Sequence, residues 1–383
     1  MPEEQREHGA RLPEIALVFL KLGVIGFGGP AAHVALMRRE MVDERRWVDE
    51  DRFLELFGAS NLIPGPSSTE LGMMLGYERG GLSGLVVGGV CFIVPAMILV
   101  LSFAWAYVRY GSLPQTGWLL YGIEPVMIAI IADALWQLGR RAIRSWLLAL
   151  LASAVIALYF AGVDVVVLLF GGAVVVMLAR NAARLRPHAS VFLPALPFAD
   201  VVRNGQGASL GSLFLEFLKL GAVVFGSGYV LLAFLRSDLV EHLHWLTQKQ
   251  LIDAVSIGQV TPGPVFTTAT FIGYLVHGVP GALLATLGMF LPAFVLSAVV
   301  YAFLPRLRRS PWADAFIEGV TVCALGVMAG VSLQLGHAVL VDAFTVVLAI
   351  AGFAILRTLQ PNSAWLVLGG AVAGLAAHAA GFV

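Results

Sequence analysis

The chain reads as an all-α polytopic membrane protein made of two homologous halves, and three observations predict it. Only 13% of its 383 residues are charged and 59% are hydrophobic. A soluble domain carries about 25% charge, so this chain lacks the polar groups to clothe a water-facing surface. Apolar runs at 82–108, 118–138, 146–160, 165–178, 279–303, 316–335, 339–356 and 364–382 approach or exceed the ~20 residues that cross a bilayer as a helix. The sequence also matches itself. Displaced by 198 positions, Pro64-Gly65-Pro66 falls on Pro262-Gly263-Pro264, Phe19-Leu-Lys-Leu-Gly23 on Phe217-Leu-Lys-Leu-Gly221, Phe27-Gly28 on Phe225-Gly226, and Trp47 on Trp245. Beyond the break a displacement of 197 aligns Gly76-Tyr77 with Gly273-Tyr274, Gly84 with Gly281 and Pro95 with Pro292. Agreement over this length is duplication, which sets the frame for every element.

The first repeat occupies 1–180. A short span from Pro13 to Phe27 carries Lys21 at its middle, and Gly26-Phe-Gly-Gly-Pro30 breaks it, because Gly-Gly-Pro does not continue a helix. Residues 31–42 are helical and end in the charged segment Arg38 to Arg46. Asp49 or Asp51 caps the next helix, which runs to Leu62. Pro64-Gly65-Pro66 interrupts it, and a second short helix runs from Ser67 to about Tyr77. Neither piece spans a bilayer alone, so together they read as a re-entrant helical hairpin, and four full spans follow. A linker at 181–210, with its arginines, prolines and Asn204-Gly-Gln-Gly207, leads to the second repeat at 211–383. There the plan recurs: a short span from Ser212 to Phe225 with Lys219, a hairpin at 248–277, and four spans.

Arginine placement predicts that the second repeat is inverted. Lys and Arg collect on the cytoplasmic side. The segment after the first span holds Arg38, Arg39, Arg45 and Arg46, whereas its counterpart holds Arg236. The loop with Arg140, Arg141 and Arg144 matches 336–342, which has no Lys or Arg. Conversely, Arg109 alone matches Arg306, Arg308 and Arg309. Counting agrees if the first short span crosses, because each half then makes five crossings.

Several classes of function are excluded. The net charge of zero gives no basic face for nucleic acid. Cys91 and Cys323 sit inside apolar runs and suggest neither a disulfide nor a metal site. Glu241-His-Leu-His244 sits in a loop without further ligands, so no metal and no cofactor is expected. The acidic N-terminus, without a small-residue cleavage pattern, argues against a removed leader. There is no His-Glu-x-x-His, no Gly-x-Ser-x-Gly and no phosphate loop, so the chain is not read as an enzyme or as directly driven by ATP.

Inverted repeats with broken helices near the midplane are a transporter design. Helices that start after Pro66 and Pro264 present N–H groups without intrahelical partners, together with the positive end of the macrodipole, and both favour an anion. Ser67, Ser68 and Thr69, with Thr267 and Thr268, add hydroxyl donors; a kink whose hydroxyls bond backbone is the plainer alternative. A lysine at the centre of a membrane helix costs roughly 2.5–3.5 kcal/mol. Lys21 and Lys219 either snorkel to the interface or line a polar cavity, and their shared register before Gly23 and Gly221 favours the cavity. The predicted anion-binding set is Lys21, Lys219, Gly28, Gly29, Gly226, Asn61, Gly65, Ser67, Ser68, Thr69, Gln259, Gly263, Thr267 and Thr268. Glu70, in the first repeat only, is either a proton-carrying coupling residue or the partner of Lys21 or Arg52. Glu55, its counterpart Asp253, Glu124, Asp133 and Glu318 are further acids near the membrane. Trp47 and Trp245 fit interfacial anchors.

Phe27-Gly-Gly-Pro30, the charged Arg39-Glu-Met-Val segment before Trp47, Asn61-Leu-Ile-Pro-Gly-Pro66 and Gly76-Tyr77 resemble the signature of the chromate ion transporters. Phe225-Gly-Ser-Gly-Tyr229 and Gln259-Val-Thr-Pro-Gly-Pro264 fit it in the second half, and the length resembles the long-chain, two-domain members. The resemblance implies export of chromate across the bacterial inner membrane, chromate resistance, sulfate as the look-alike anion and proton-motive force as the drive. A sulfate or other oxyanion carrier, or an anion channel, satisfies the same donors. A homodimer is allowed, but no segment specifies it.

Overall fold

A computed structural model describes residues 3–27, 29–61, 63–110, 114–181, 208–225, 228–307, 311–359, 361 and 363–379. These residues are helical apart from short connections, and one isolated bridge pairs Pro64 with Phe225. The first half contains α1 (Glu3–Ile25), α2 (Gly29–Arg38), a π-helical turn (Arg39–Glu44), α3 (Glu50–Ser60), α4 (Ser67–Tyr110), α5 (Pro114–Ala142), α6 (Trp146–Phe160) and α7 (Val165–Asn181). The second contains α8 (Leu210–Val223), α9 (Gly228–Leu235), a π-helical turn (Arg236–His242), α10 (Gln248–Val260), a 3-10 turn (Val265–Thr267), α11 (Thr268–Leu307), α12 (Pro311–Val339), α13 (Ala343–Leu359) and α14 (Ser363–Ala379).

The helix starts follow local chemistry. Asp49 Oδ1 accepts the Arg52 N–H at 2.8 Å to cap α3, and Thr247 with Gln250 forms a capping box on α10. α1 begins ten residues before the expected start, with Pro13 inside it. The break after α3 comes at Asn61, and α4 starts at Ser67. α4 and α11 each contain a sharp turn, at Gly80–Gly81 and at His277–Gly278, with nearly the same backbone angles. Each turn folds a short helix back on a long one. A Cβ at Gly76 would collide with the Gly84 carbonyl, and one at Gly273 with that of Gly281. The repeated glycines are therefore sites of backbone-to-backbone approach.

The repeated Phe-Leu-Lys-Leu-Gly string acquires a reason here. Phe19 is fully buried, and its ring lies against Gly72 and Gly88 of α4. Gly23, four residues on and so on the same face, leaves room for the Phe92 carbonyl, as Gly221 does for that of Met289. α1 thus lies along α4, and α8 along α11. The halves are interlocked. α4 packs on α11, α5 packs on α13 and α14, and α12 packs on α6 and α7. The largest buried cluster accordingly draws on both halves.

Among the described residues four helices are long and apolar enough to cross a membrane: α4, α5, α11 and α12. Outward faces of the shorter apolar helices expose large side chains such as Leu150, Val167, Ile350 and Val372. Water would not tolerate so extended an apolar exterior, whereas lipid does. The chain is a multi-pass membrane protein.

Candidate functional site

The breaks in the helices meet in pairs, one from each repeat. The Gly65 N–H donates to the Val224 carbonyl at 2.7 Å, and the Gly263 N–H donates to the Gly26 carbonyl at 2.9 Å. Val224 is Gly26 displaced by 198, and Gly263 is Gly65 displaced by 198. Each Pro-Gly-Pro therefore bonds the unwound end of the first helix of the other repeat. Only glycine suits the centre of either break. Gly65 has φ +130° and Gly263 φ +88°, where an L side chain is strained. A Cβ at Gly263 would lie 2.8 Å from Ala96 Cβ, and one at Gly65 would run into Glu70 Oε1 and approach Ala293. Ala96 and Ala293 are themselves equivalent residues.

The first repeat adds a polar bridge at this crossing. His33 Nε2 is 2.8 Å from the Gly26 carbonyl and Nδ1 is 3.1 Å from Ser68 Oγ. A carbonyl can only accept, so in the neutral ring Nε2 carries the hydrogen and Nδ1 accepts from the Ser68 hydroxyl. The buried imidazole, edge-on to Phe92, ties the break after α1 to the start of α4. The Thr69 and Glu70 N–H groups turn back to the Pro66 carbonyl at 2.7 and 3.2 Å. Thr69 Oγ1 and both carboxylate oxygens of Glu70 are buried without a hydrogen-bond partner, and Glu70 is 0% exposed. Glu70 pairs with neither Lys21 nor Arg52: Lys21 meets Glu40, and Arg52 meets Glu55 and Glu78.

The second repeat uses its hydroxyls locally. Thr267 Oγ1 donates to the Pro264 carbonyl at 2.8 Å and Thr268 Oγ1 to that of Val265 at 2.7 Å. Gln259 is buried with Nε2 unpartnered, at the mouth of the second break. Asn61 lies at the exposed end of α3 and donates to the Phe57 carbonyl at 2.7 Å. Gly29 opens α2 with φ +76°. Gly28 and Gly226 lie outside the described residues.

Both lysines have acidic partners that the sequence reading did not supply. Lys21 Nζ pairs with Glu40, which also takes Arg45 Nε at 3.1 Å. Lys219 Nζ pairs with Glu216 at 2.6 Å and Asp238 at 2.8 Å. Asp238 is Glu40 displaced by 198, so an acid stands 19 residues after the lysine in both repeats; this was the available signal. Both acids sit on π-helical turns, which often mark functional positions. Burial opposes ionisation of Glu40, yet hydrogen bonds from Lys21 and Arg45 prevail and hold its carboxyl below the usual value.

The other acids divide by position. Asp253 is fully buried and accepts from Tyr107 Oη at 2.7 Å. Glu124 and Lys249 line a cavity of about 620 Å³ with Trp118, Tyr121, Gln248 and Ile252. Asp133 accepts from Gln137 at 2.6 Å, and Glu318 pairs with Arg180 at 2.6 Å. Among the described residues no cluster of three or more His, Cys, Asp or Glu could hold a metal.

Comparison with known proteins matches this repeated plan. The family described as chromate transporter matches residues 13–177 and again 211–375, the second stretch displaced from the first by the same 198 residues. A probable chromate transport protein of Synechococcus elongatus is 35% identical over 338 residues, 86% of each chain. A chromate transport protein of Cupriavidus metallidurans is 32% identical over 378 residues, 96% of this chain and 93% of that one. One from Pseudomonas aeruginosa is 32% identical over 343 residues, covering 85% and 81%. No solved structure matches. The chain belongs to the chromate transporter family.

Proposed function

We propose that this protein is a secondary carrier that exports chromate across the bacterial inner membrane and so confers chromate resistance. In this reading the oxyanion is held where the two Pro-Gly-Pro breaks cross, between repeats of opposite orientation (1–180 and 211–383, joined by 181–210). The observation that carries it is the reciprocal pair of hydrogen bonds, Gly65 to Val224 and Gly263 to Gly26. Unwound backbone at the heart of a membrane protein is tolerated where protein or a polar cavity satisfies it. Here each Pro-Gly-Pro is met by the unwound end of the other repeat's first helix, and the first N–H groups after each break, at Ser67 and Val265, are suited to an anion.

The ligands are read as the backbone N–H groups at Ser67 and Val265, the hydroxyls of Ser67 and Thr69, and the Gln259 amide. Thr267, Thr268 and Ser68 hold the break in shape through the bonds described above. Lys21 and Lys219 serve the oxyanion only in a conformation in which Glu40 and Asp238 have let go, and that exchange of partners is a natural step in alternating access. Glu70 is the coupling residue. A carboxyl group this dry and unpartnered is far cheaper neutral than charged, so it carries a proton in the conformation seen here and releases it in one that admits water.

Uptake of labelled chromate into inside-out vesicles containing the purified protein tests the proposal, with and without a proton gradient and with excess sulfate. Saturable uptake that needs the gradient is expected. Flux that neither saturates nor responds to the gradient would replace the carrier by a channel, and suppression by sulfate at equal concentration would widen the substrate to tetrahedral dianions.

A further inference from the structure

In the second repeat, two acids converge on one base. Lys219 Nζ lies 2.6 Å from Glu216 Oε1 and 2.8 Å from Asp238 Oδ2, and Glu216 is only 1% exposed. Two ionised carboxylates and one ammonium would leave an uncompensated negative charge away from water, which is costly. A proton on either acid removes that charge, as in carboxylate pairs that share one proton.

The surroundings supply a route and, while His242 is neutral, no second counter-charge. His242 Nδ1 is 3.7 Å from Asp238 Oδ1, with a side chain 62% exposed. It links the surface to Asp238, and Asp238 links through Lys219 to Glu216. The other charged groups on neighbouring elements are engaged elsewhere. Arg236 pairs with Glu241 at 3.2 Å, His277 of α11 bonds the Ala208 carbonyl, and Asp253 of α10 takes Tyr107. Glu318 of α12 pairs with Arg180, and Lys249 faces the cavity beside Glu124.

The first repeat has no such pair. Val18 stands where Glu216 stands, Glu40 where Asp238 stands, and Glu44 where His242 stands. The acid at this place, Glu40, is met by two cations, Lys21 and Arg45, and needs no proton.

We propose that Glu216 and Asp238, bridged by Lys219, form a proton-binding site that holds one proton at neutral pH and exchanges it with water through His242. In the exchange the Nδ1–H bond of the imidazolium breaks, an O–H bond forms on Asp238, and the ring is left neutral; no other bond changes. Coupling of this proton to anion movement rests on the carrier reading above, whereas the site itself does not.

Infrared difference spectra of the full-length protein in lipid, recorded as pH is stepped from acid to alkaline, test it. The wild type should show a titrating protonated-carboxyl band near neutrality. That band should be lost in Glu216→Gln and in Asp238→Asn, and kept in Glu70→Gln and Glu40→Gln. His242→Asn should slow its appearance after a pH jump about tenfold or more. A band that titrates unchanged in both Glu216→Gln and Asp238→Asn overturns the proposal, as does a band that vanishes only in Glu70→Gln. Because the readout needs no flux, a protein with the expected band and no chromate uptake supports this site while refuting the carrier.

Discussion

In the first repeat Glu40 answers two cations, Lys21 and Arg45; in the second Lys219 answers two acids, Glu216 and Asp238. Around these clusters the scaffold is the same. Phe19 and Phe217 are both fully buried, and the tight turns at Gly81 and Gly278 share φ near +60°. Even the non-glycine residues with positive φ, Arg46 and His244, are equivalent and both have φ 52°. Duplication preserved geometry while charge diverged. On the carrier reading, with the repeats inverted, such divergence would give the two faces different tasks: a cation-rich cluster that stays charged, and an acid-rich one that takes up a proton.

Removing the lysines should break this comparison hardest. Lys219→Met leaves two acids facing each other in a dry site, and loss of one partner from a buried ion pair costs about 3–5 kcal/mol. Lys21 is half exposed and Arg45 remains to hold Glu40, so Lys21→Met should cost about 1 kcal/mol or less. Thermal unfolding in detergent reads the difference, and equal losses would contradict it. Both variants should still insert into the membrane yet fail to transport chromate.

The breaks come next. Alanine at Gly65 or Gly263 should cost about 1–3 kcal/mol of backbone strain and sharply reduce uptake. Gly65→Ala should be the worse of the two in backbone strain, because φ +130° lies further than φ +88° from the left-handed region that L residues reach; the reverse order would mean that the contact of the Gly263 methyl group with Ala96 dominates. His33→Leu gives the first repeat the residue of the second, Leu231. It removes two buried hydrogen bonds and should lower stability by about 1–3 kcal/mol, measurable in the same unfolding assay.

The smallest effect is one of pH. Glu40 is held below its ordinary value of 4.5. The stability it contributes is therefore complete above that value and fades as pH falls through the lower folded-state value. The stability gap between wild type and Glu40→Gln should be constant through neutral pH and close only in acid. A gap that closes near neutrality would place a titrating group in the cluster of Lys21, Glu40 and Arg45, where the charge count finds none.

Much of the fold was legible because its signals are local. Of the eight full spans expected from apolar run length, four are long enough to cross among the described residues, α4, α5, α11 and α12, and the other apolar helices are shorter; the cap on α3 follows from Asp49 and the duplication from strings such as Phe-Leu-Lys-Leu-Gly. The crossing of the breaks was not, because Gly65 and Val224 are far apart in the chain and neither residue type announces a partner. His33 escaped for a similar reason: it is a lone histidine with leucine at the equivalent position. The lysine partners were within reach. Glu40 and Asp238 occupy one register, but the charged segment around Glu40 reads as solvated when periodicity alone is followed. Glu216 sits three residues before Lys219, on the same helical face, and its counterpart is Val18, so a search for shared residues passes over it. Thr267 and Thr268 show the converse: hydroxyls that look like ligands by position are bonded to their own turn.

Equilibrium binding of chromate to the purified protein, followed by titration calorimetry on wild type, Gly65→Ala and Gly263→Ala, bears most directly on the crossed breaks as the anion site. Saturable binding of one chromate per chain is expected, lost in both variants while their helical content is unchanged. Undiminished binding in the two folded variants would contradict it and move the anion away from the place where the repeats meet.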